Sequence, residues 1–547
     1  YRHQVQTARY ELNQIDFILR GTVSLNSRVG FRNGSNNGRN NDINSTYSLF
    51  SGGRAVSENL QLDRQLRIAN NPGNKVDQTI DIQSIEGITV AEIDWESRIN
   101  PDKPVQPDVL AKAIPHDQHV LLLPNFQNLI DLIDHSSEQG TPILRLLEDR
   151  PEDAQTQDRY QHQLCLPTDQ LARILGSKLI NSVAITGSDP YLRTGSDLAV
   201  LFEAIDGDAL AVALQIRRQQ IALSAKPKPK AESGKVQGIQ YQALTTPDRS
   251  ICSYMARHGK TLIVTNSPVQ LRQILETLEG KRPSVASLPE YTWFRQRYEK
   301  EKSGQTTFFL LTDATIRRWC GPRWRIGASR RTQAAAILSE LQAQQIDKAH
   351  KMEVFPEWLG TITQSKIGPQ SKTYGNLAFL TPIAELNIDK VTKNERQAYV
   401  RFRDRYQNRW RNFFDPIGGT ISITDDKLAL DVTILPLIEG SEYNELREVV
   451  GSQQFSSSAA SPTRTPLLQA IFAIDMKTRT MRQAGTFLAR TAPRTGTNGL
   501  GWIGKWASVQ LEDSPFWKDL AESKRKGQDI EDFLENNFHR IPIIAKI

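Results

Sequence analysis

The sequence predicts an α+β fold built of several modules of antiparallel or mixed sheet with packed helices, and two patterns carry that prediction. A short apolar strand, a capping residue and an amphipathic helix follow one another four times, and strands also occur as adjacent pairs joined by turn-rich stretches. A doubly wound fold would alternate strand and helix without such pairs. The chain therefore reads as repeated α+β modules rather than one large sheet. Its 547 residues leave room for about three or four domains, with divisions expected at 1–100, 101–300, 301–455 and 463–547.

Near the start, Val5, Ala8, Leu12, Ile15 and Leu19 recur at spacings of 3, 4, 3 and 4 and Gly21 follows, the seam and stop of an amphipathic helix. Two heptads fall short of a coiled coil, so this helix is expected to dock on its own domain. Asn33 to Asp42 is dominated by Asn, Gly and Ser, which favour turns. Only Asp42 in it is acidic, so it lacks the alternating ligands of a calcium loop. Glu92-Ile-Asp94-Trp-Glu96, if extended, sets three carboxylates on one face and Ile93 and Trp95 on the other.

The four strand–cap–helix units come next. Val120 to Leu123 leads through Pro124-Asn125 into Phe126, Leu129, Ile130 and Leu132; Leu262 to Val264 leads through Ser267-Pro268 into Leu271, Ile274, Leu275 and Leu278, closed by Gly280. Phe308 to Leu311 leads through Asp313 into Ile316, and Ala507 to Val509 leads through Ser514-Pro515 into Trp517 and Leu520. Ser267 as N-cap, Pro268 in the first turn and Gly280 just beyond the end use the asymmetry of helix termini in full. Two strand pairs join them: Ser182 to Ile185 with Leu198 to Phe202, and Ile421 and Ile423 with Leu428, Leu430, Val432 and Ile434 across Asp425-Asp-Lys427. Lys226-Pro-Lys-Pro-Lys230 reads as an extended tether interrupting a domain, and Ser456 to Pro462 as a flexible linker between two. Arg540 to Ile547 is a strand-like apolar run without a polar tail, and the Val5 seam starts almost on the first residue. Both features lead to the expectation that the native chain continues past each end.

Apolar residues make up 38% and charged residues 24% of the chain, with 9 Trp, 13 Tyr and 19 Phe, which excludes wholesale disorder. No run approaches the roughly 18 apolar residues of a spanning helix. Cys165, Cys252 and Cys320 are too few for a disulfide framework and show no CxxC spacing. The 68 Lys and Arg against 61 Asp and Glu leave a net charge of +7, a weak bias toward anionic partners unless it clusters.

It clusters twice. The first cluster is Arg317-Arg318-Trp319-Cys320-Gly-Pro-Arg323-Trp324-Arg325, followed by Arg330-Arg331 at the expected start of an alanine-rich helix with Ala334, Ile337, Leu338 and Leu341. Guanidinium groups grip phosphates and aromatic rings stack on bases, so Arg317, Arg318, Arg323, Trp324, Arg325, Arg330 and Arg331 form the candidate anion-binding patch. The second runs from Arg401 to Phe414, where Phe402, Tyr406, Trp410 and Phe413 recur at 4, 4 and 3, an aromatic face for packing rather than base stacking.

Other constellations fail their context. Gly499-Leu-Gly501-Trp-Ile-Gly504-Lys505 has the spacing of a phosphate loop, but turn-forming residues precede it and Trp506 stands where magnesium needs a hydroxyl. It reads as a glycine-rich loop leading into a strand from Trp506 to Leu511. The histidines show no HExxH and no zinc spacing with cysteine, and there is no G-x-S-x-G elbow. His116 and His119, flanking Asp117, read as a surface turn. No catalytic residue, cofactor or metal site is expected.

Val183-Ala-Ile-Thr-Gly-Ser-Asp-Pro-Tyr-Leu192, Asp197 to Glu203, Arg323-Trp-Arg-Ile-Gly327, Pro356-Glu-Trp-Leu-Gly360 and Phe413-Phe-Asp-Pro416 carry a resemblance. Over roughly residues 100 to 440 the chain resembles large exported proteins of planctomycete-type bacteria whose domains have no assigned function. The resemblance implies an exported or cell-envelope protein and brings no catalytic residues with it. The expected function is a non-enzymatic structural or interaction component of a larger assembly, its partners other protein subunits or repeated copies of itself. An anion or nucleic-acid binder using the arginine patch is the alternative, and a hydrolase using the carboxylates from Glu92 to Glu96 the third reading.

Overall fold

The computed structural model describes residues 78–90, 94–135, 156–166, 168–189, 195–300, 306–346, 357–365, 368–413, 416–424, 427–434, 468–473, 506–511, 514–526, 533, 536–537, 540 and 543–546. Strand β1 (Gln78–Asp81) and β2 (His119–Leu123) precede helices α1 (Phe126–His135), α2 (Thr156–Leu164) and α3 (Gln170–Leu179). Then come β3 (Ile180–Gly187), β4 (Leu198–Ala204), α4 (Gly207–Ser224), β5 (Lys230–Val236), β6 (Ile239–Thr245), β7 (Cys252–His258) and β8 (Thr261–Thr265), closed by α5 (Pro268–Leu278) and α6 (Pro289–Arg297). The next stretch holds β9 (Thr307–Leu311), α7 (Asp313–Trp319), α8 (Pro322–Ile346), β10 (Ile362–Ser365), β11 (Gly368–Ser371), β12 (Lys390–Thr392) and α9 (Lys393–Phe413). It ends with β13 (Ile417–Thr424), β14 (Lys427–Ile434), β15 (Leu468–Ala473), β16 (Trp506–Leu511), α10 (Pro515–Arg525) and β17 (Ile543–Lys546).

The α+β class holds, and the pairing is antiparallel throughout the large sheet. One expectation is corrected. Ten strands form a single sheet in the order β14-β13-β9-β2-β3-β4-β8-β7-β6-β5, so the division expected at residue 300 falls inside it. The join is β2 against β9, with Leu121 opposite Phe309. The reason lies in strands that are apolar on both faces. In β4, Leu198, Val200 and Phe202 enter one core while Ala199 and Leu201 enter the other, so the sheet is covered on both sides. Helices α5 and α6 supply Leu271, Ile274, Leu275, Tyr291 and Phe294 to the first core, and α1, α2 and α4 supply Phe126, Leu129, Ile130, Tyr160 and Leu210 to the second.

A further core gathers beside the sheet. Ile326, Ala334, Ala398, Tyr399, Phe402 and Tyr406 of α8 and α9 pack with Ile82, Ile85, Leu386 and Val391 around the β1–β12 pair. The aromatic face expected on α9 is thus buried at Phe402 and Tyr406; the side chains of Trp410 and Phe413 lie outside the described residues. Three strands, β15, β16 and β17, form a separate small sheet.

All four strand–cap–helix units form, with two local corrections. The cap of α7 is Thr312, whose Oγ1 accepts the Thr315 N–H at 3.1 Å, rather than Asp313. Helix α8 starts at Pro322, eight residues before Arg330, so the whole Arg323–Arg331 stretch is helical. The residues from Lys226 on join α4 to β5 within the large sheet. The Val5–Leu19 seam, the Asn33–Asp42 loop, the Ser456–Pro462 linker and the Gly499–Lys505 loop lie outside the described residues.

Helix α5 is the clearest case of local determination. Ser267 Oγ accepts the Gln270 N–H at 3.3 Å, Pro268 occupies the first turn, and Gly280 takes a φ of 70° while its N–H reaches the Thr277 carbonyl. Replacing Ser267 by Ala is expected to lower stability by about 0.5 to 2 kcal/mol through loss of the cap. Urea unfolding checks this, and an unchanged midpoint would count against the assignment.

Candidate functional site

The polar side chains converge at the end of the sheet where β2 and β4 begin and β3 and β8 finish. The β3–β4 connection repeats Gly-Ser-Asp, at Gly187–Asp189 and Gly195–Asp197. A Cβ on Gly187 would lie 2.2 Å from the Asp197 carbonyl oxygen, so only glycine lets the two strands close there. Ser188 donates to Asp197 Oδ1 through both its hydroxyl and its N–H, and the Ser196 hydroxyl donates to the Asp189 carbonyl. Tyr160 OH accepts the Ser196 N–H at 2.7 Å, while Asn266 donates to the Ser196 carbonyl and to Gln163 Oε1. Asp189 and Asp197 are both fully buried.

Helices α7 and α8 bring the candidate arginines to this cluster and to the core beside it. Arg317 pairs with Asp313, and Arg318 reaches Asp117 at 3.1 Å and the Ser188 carbonyl at 3.0 Å, which Trp319 Nε1 also donates to. Trp324 is buried, with the Arg318 guanidinium 5.5 Å from its ring. Arg330 holds Glu395 through Nε at 2.7 Å and Nη2 at 2.8 Å. Arg331 donates to Asp189 at 2.9 Å and to the Gly195 carbonyl at 2.6 Å. Arg323 stands 48% exposed, touching the Leu386 carbonyl at 2.9 Å, with Asp389 at 3.9 Å. Arg325 is buried over the Phe402 ring at 4.5 Å, and its Nε and Nη2 have no hydrogen-bond partner.

The structure therefore does not display these seven residues as one open patch. Five guanidinium groups lie within 4 Å of carboxylates of the same chain, and two of those pairs, with Glu395 and Asp189, are buried. Glu395 has a second role that sequence reading missed. Thr392-Lys-Asn-Glu395 is a capping box: Thr392 Oγ1 accepts the Glu395 N–H and Glu395 Oε2 accepts the Thr392 N–H. That four-residue signal was available in the sequence.

His116 and His119 belong to the cluster rather than to a free surface turn. Thr312 Oγ1 donates to the His116 carbonyl, and His119 Nδ1 is buried without a partner. Burial, helped by the Arg318 charge, holds the His119 pKa down to about 4, so the ring is neutral at physiological pH. Burial pushes the Asp197 carboxyl up to about 7 against the Ser188 hydrogen bonds and the Arg318 charge; its Oδ2 has no hydrogen-bond partner. The buried Ser188 hydroxyl is held by the Asp197 carboxyl. The arrangement fixes backbone and charge.

The carboxylate reading meets a correction too. Residues 96–98 form a 3₁₀ turn, not a strand; Asp94 accepts the Ser97 N–H and Trp95 is buried in the large core. Glu92 lies outside the described residues. No group of His, Cys, Asp and Glu able to hold a metal exists among the described residues.

A second feature lies on the outer side of the helical layer. Helices α3 and α4 lie antiparallel, with Asp169 meeting Arg217 near one end and the Leu179 carbonyl accepting the Ile205 N–H at the other. Helix α4 is apolar on two sides: Leu210, Ala211 and Leu214 pack against the core beneath it. Arg218 is buried and donates to the Gln242 and Ser253 carbonyls at 3.0 and 2.8 Å, while Val212, Ile216 and Leu223 stand 59%, 50% and 76% exposed. Ile174 and Leu175 of α3 and Ile205 are exposed as well. A groove of about 410 Å³ lined by Asp158, His162, Asp169, Arg217, Gln220 and Ser224 opens alongside. Sequence reading missed this helix, although Ala209, Val212, Ile216, Gln219 and Leu223 repeat the 3, 4, 3, 4 spacing.

Comparison with family models, with curated proteins and with solved structures finds no match to this chain.

Two tests follow. Removing one partner of a buried ion pair strands the other charge, so Arg330→Met is expected to cost about 3 to 5 kcal/mol, against under about 1 kcal/mol for Arg323→Met on the surface. Equal losses in urea unfolding would refute the distinction. The second concerns pH. Asp197 binds its proton more tightly folded than unfolded, so its contribution favours the fold at low pH and is lost as pH rises from about 4 to about 7. His119 does the opposite, its contribution growing from pH 4 to 6.5. Asp197→Asn removes the falling component, so the stability of the variant relative to the parent is expected to rise between pH 4.5 and 7.5. A pH-independent difference would show that Asp197 titrates normally.

Proposed function

We propose that this chain is a non-enzymatic structural or interaction component of a larger assembly. The observation that carries the reading is a contrast. The guanidinium and carboxylate groups at the end of the sheet are engaged with one another, whereas Ile174, Leu175, Val212, Ile216 and Leu223 stand in solvent on one helical layer. Apolar side chains grouped on an outer face are the mark of an interaction site. Its partners are other protein subunits or further copies of the chain. Placement at the cell envelope or outside the cell rests on the resemblance to exported proteins at Val183–Leu192 and Arg323–Gly327. Among the described residues no helix is long and apolar enough to cross a membrane.

Anion or nucleic-acid binding is the second reading, and one observation favours it: Arg325 keeps two buried N–H positions without a partner beside the half-exposed Arg323. Titration of single-stranded DNA separates the readings, because a phosphate binder loses affinity linearly in log salt. No binding at low salt is expected. The structural reading is tested by native mass measurement of the particle gently extracted from the source. A particle heavier than one chain supports it, and one consisting of a single chain overturns it.

A further inference from the structure

We propose that the exposed face of α4 is the seam of a two-fold dimer in which two copies of this helix pack antiparallel. The inference rests on the interaction reading above and names the partner of the same face.

Three observations lead to a second copy. Ala209, Val212, Ile216, Gln219 and Leu223 are all exposed and recur at 3, 4, 3 and 4, the spacing by which two helices interlock. The helix packs on the sheet through Leu210, Ala211 and Leu214 and buries Arg218 there, so the outward stripe takes no part in that packing. The flanks of the stripe are Ala213, Gln215, Gln220 and Ala222, which bring no like charges together when the face meets itself. Asp208 also flanks it and is already paired with Arg257.

The ends of the helix set the direction. Asp206 stands at its start, and Lys226 and Lys228 follow its end, all of them exposed, while Lys230 is paired with Glu232. Antiparallel pairing places the acidic start of each copy against the basic end of the other, and opposes the helix dipoles favourably. Parallel pairing would set like charge on like charge. A face that is apolar along its middle and opposite in charge at its two ends is self-complementary, as an isologous two-fold contact requires. The 18 residues of α4 give a seam of about 27 Å.

The geometry makes a specific demand. Ile216 is the middle of the five-residue stripe, so in an antiparallel pair it meets its own copy, whereas Leu223 meets Ala209. The natural Cys165, Cys252 and Cys320 are buried and free, which leaves the surface open to introduced thiols. Under mild oxidation Ile216→Cys is expected to cross-link to itself. Leu223→Cys alone is expected not to, and to cross-link when mixed with Ala209→Cys. Sedimentation of the full chain is expected to show a dimer, with Ile216→Glu weakening it about 100-fold or more, as for a central interface residue, while the unfolding midpoint of the isolated chain stays as in the parent.

A chain that remains monomeric at tens of micromolar overturns the proposal and assigns the face to another occupant, either residues 5–19 of this chain or a different protein. A dimer in which Leu223→Cys cross-links to itself overturns the antiparallel arrangement. A monomeric purified chain found with other subunits in its native particle retires the dimer and leaves the interaction reading standing.

Discussion

Arg330 and Arg331 are neighbours on α8 and reach in different directions, one to Glu395 at the head of α9 and the other to Asp189 at the end of β3. Neighbouring side chains on a helix diverge by about 100°, so one turn of α8 is tied at once to the core beside the sheet and to the sheet itself. A buried guanidinium with its carboxylate is a poor source of net stability, because desolvating both charges offsets most of their attraction. What it supplies is direction. Any arrangement that separates the two cores leaves a charge buried without its partner, and that costs far more than an apolar mismatch. The relation of α8, α9 and the sheet depends on this pair of pairs.

Further ties repeat the device. Arg249, from the loop before β7, grips Glu385 with both Nη atoms at 2.8 and 3.1 Å, and Arg318 joins α7 to Asp117 and the Ser188 carbonyl. Several arginines of the basic stretch thus meet carboxylates of the same chain. The same economy of polar partners explains Asp197 and His119. Each lies where burial favours its neutral form.

The outward face of α4 follows the opposite logic. Leu210, Ala211 and Leu214 pack on the core and Arg218 bonds the Gln242 and Ser253 carbonyls, so the outward stripe is not needed to attach the helix to the sheet. The outward stripe joins the fold to the function proposed for it, since it is apolar surface that the sheet does not cover.

Local signals were legible because their physics is local. The Ser267 cap lies three residues from the N–H it accepts, Leu271, Ile274 and Leu275 recur with the helical period, and the β13–β14 hairpin pairs residues close in sequence. The α+β class follows from the order of such units. The α4 stripe and the Thr392–Glu395 capping box were equally local and were legible in principle. Partner choice was not. Asp189 and Arg331 are 142 residues apart, Glu395 and Arg330 are 65 apart, and β2 meets β9 across the expected module boundary. An arginine's sequence neighbours say that it is charged and that it sits on a helix. Whether it meets a carboxylate, a ring or solvent is decided when distant segments are brought together, because burial and the partner it demands exist only in the folded chain.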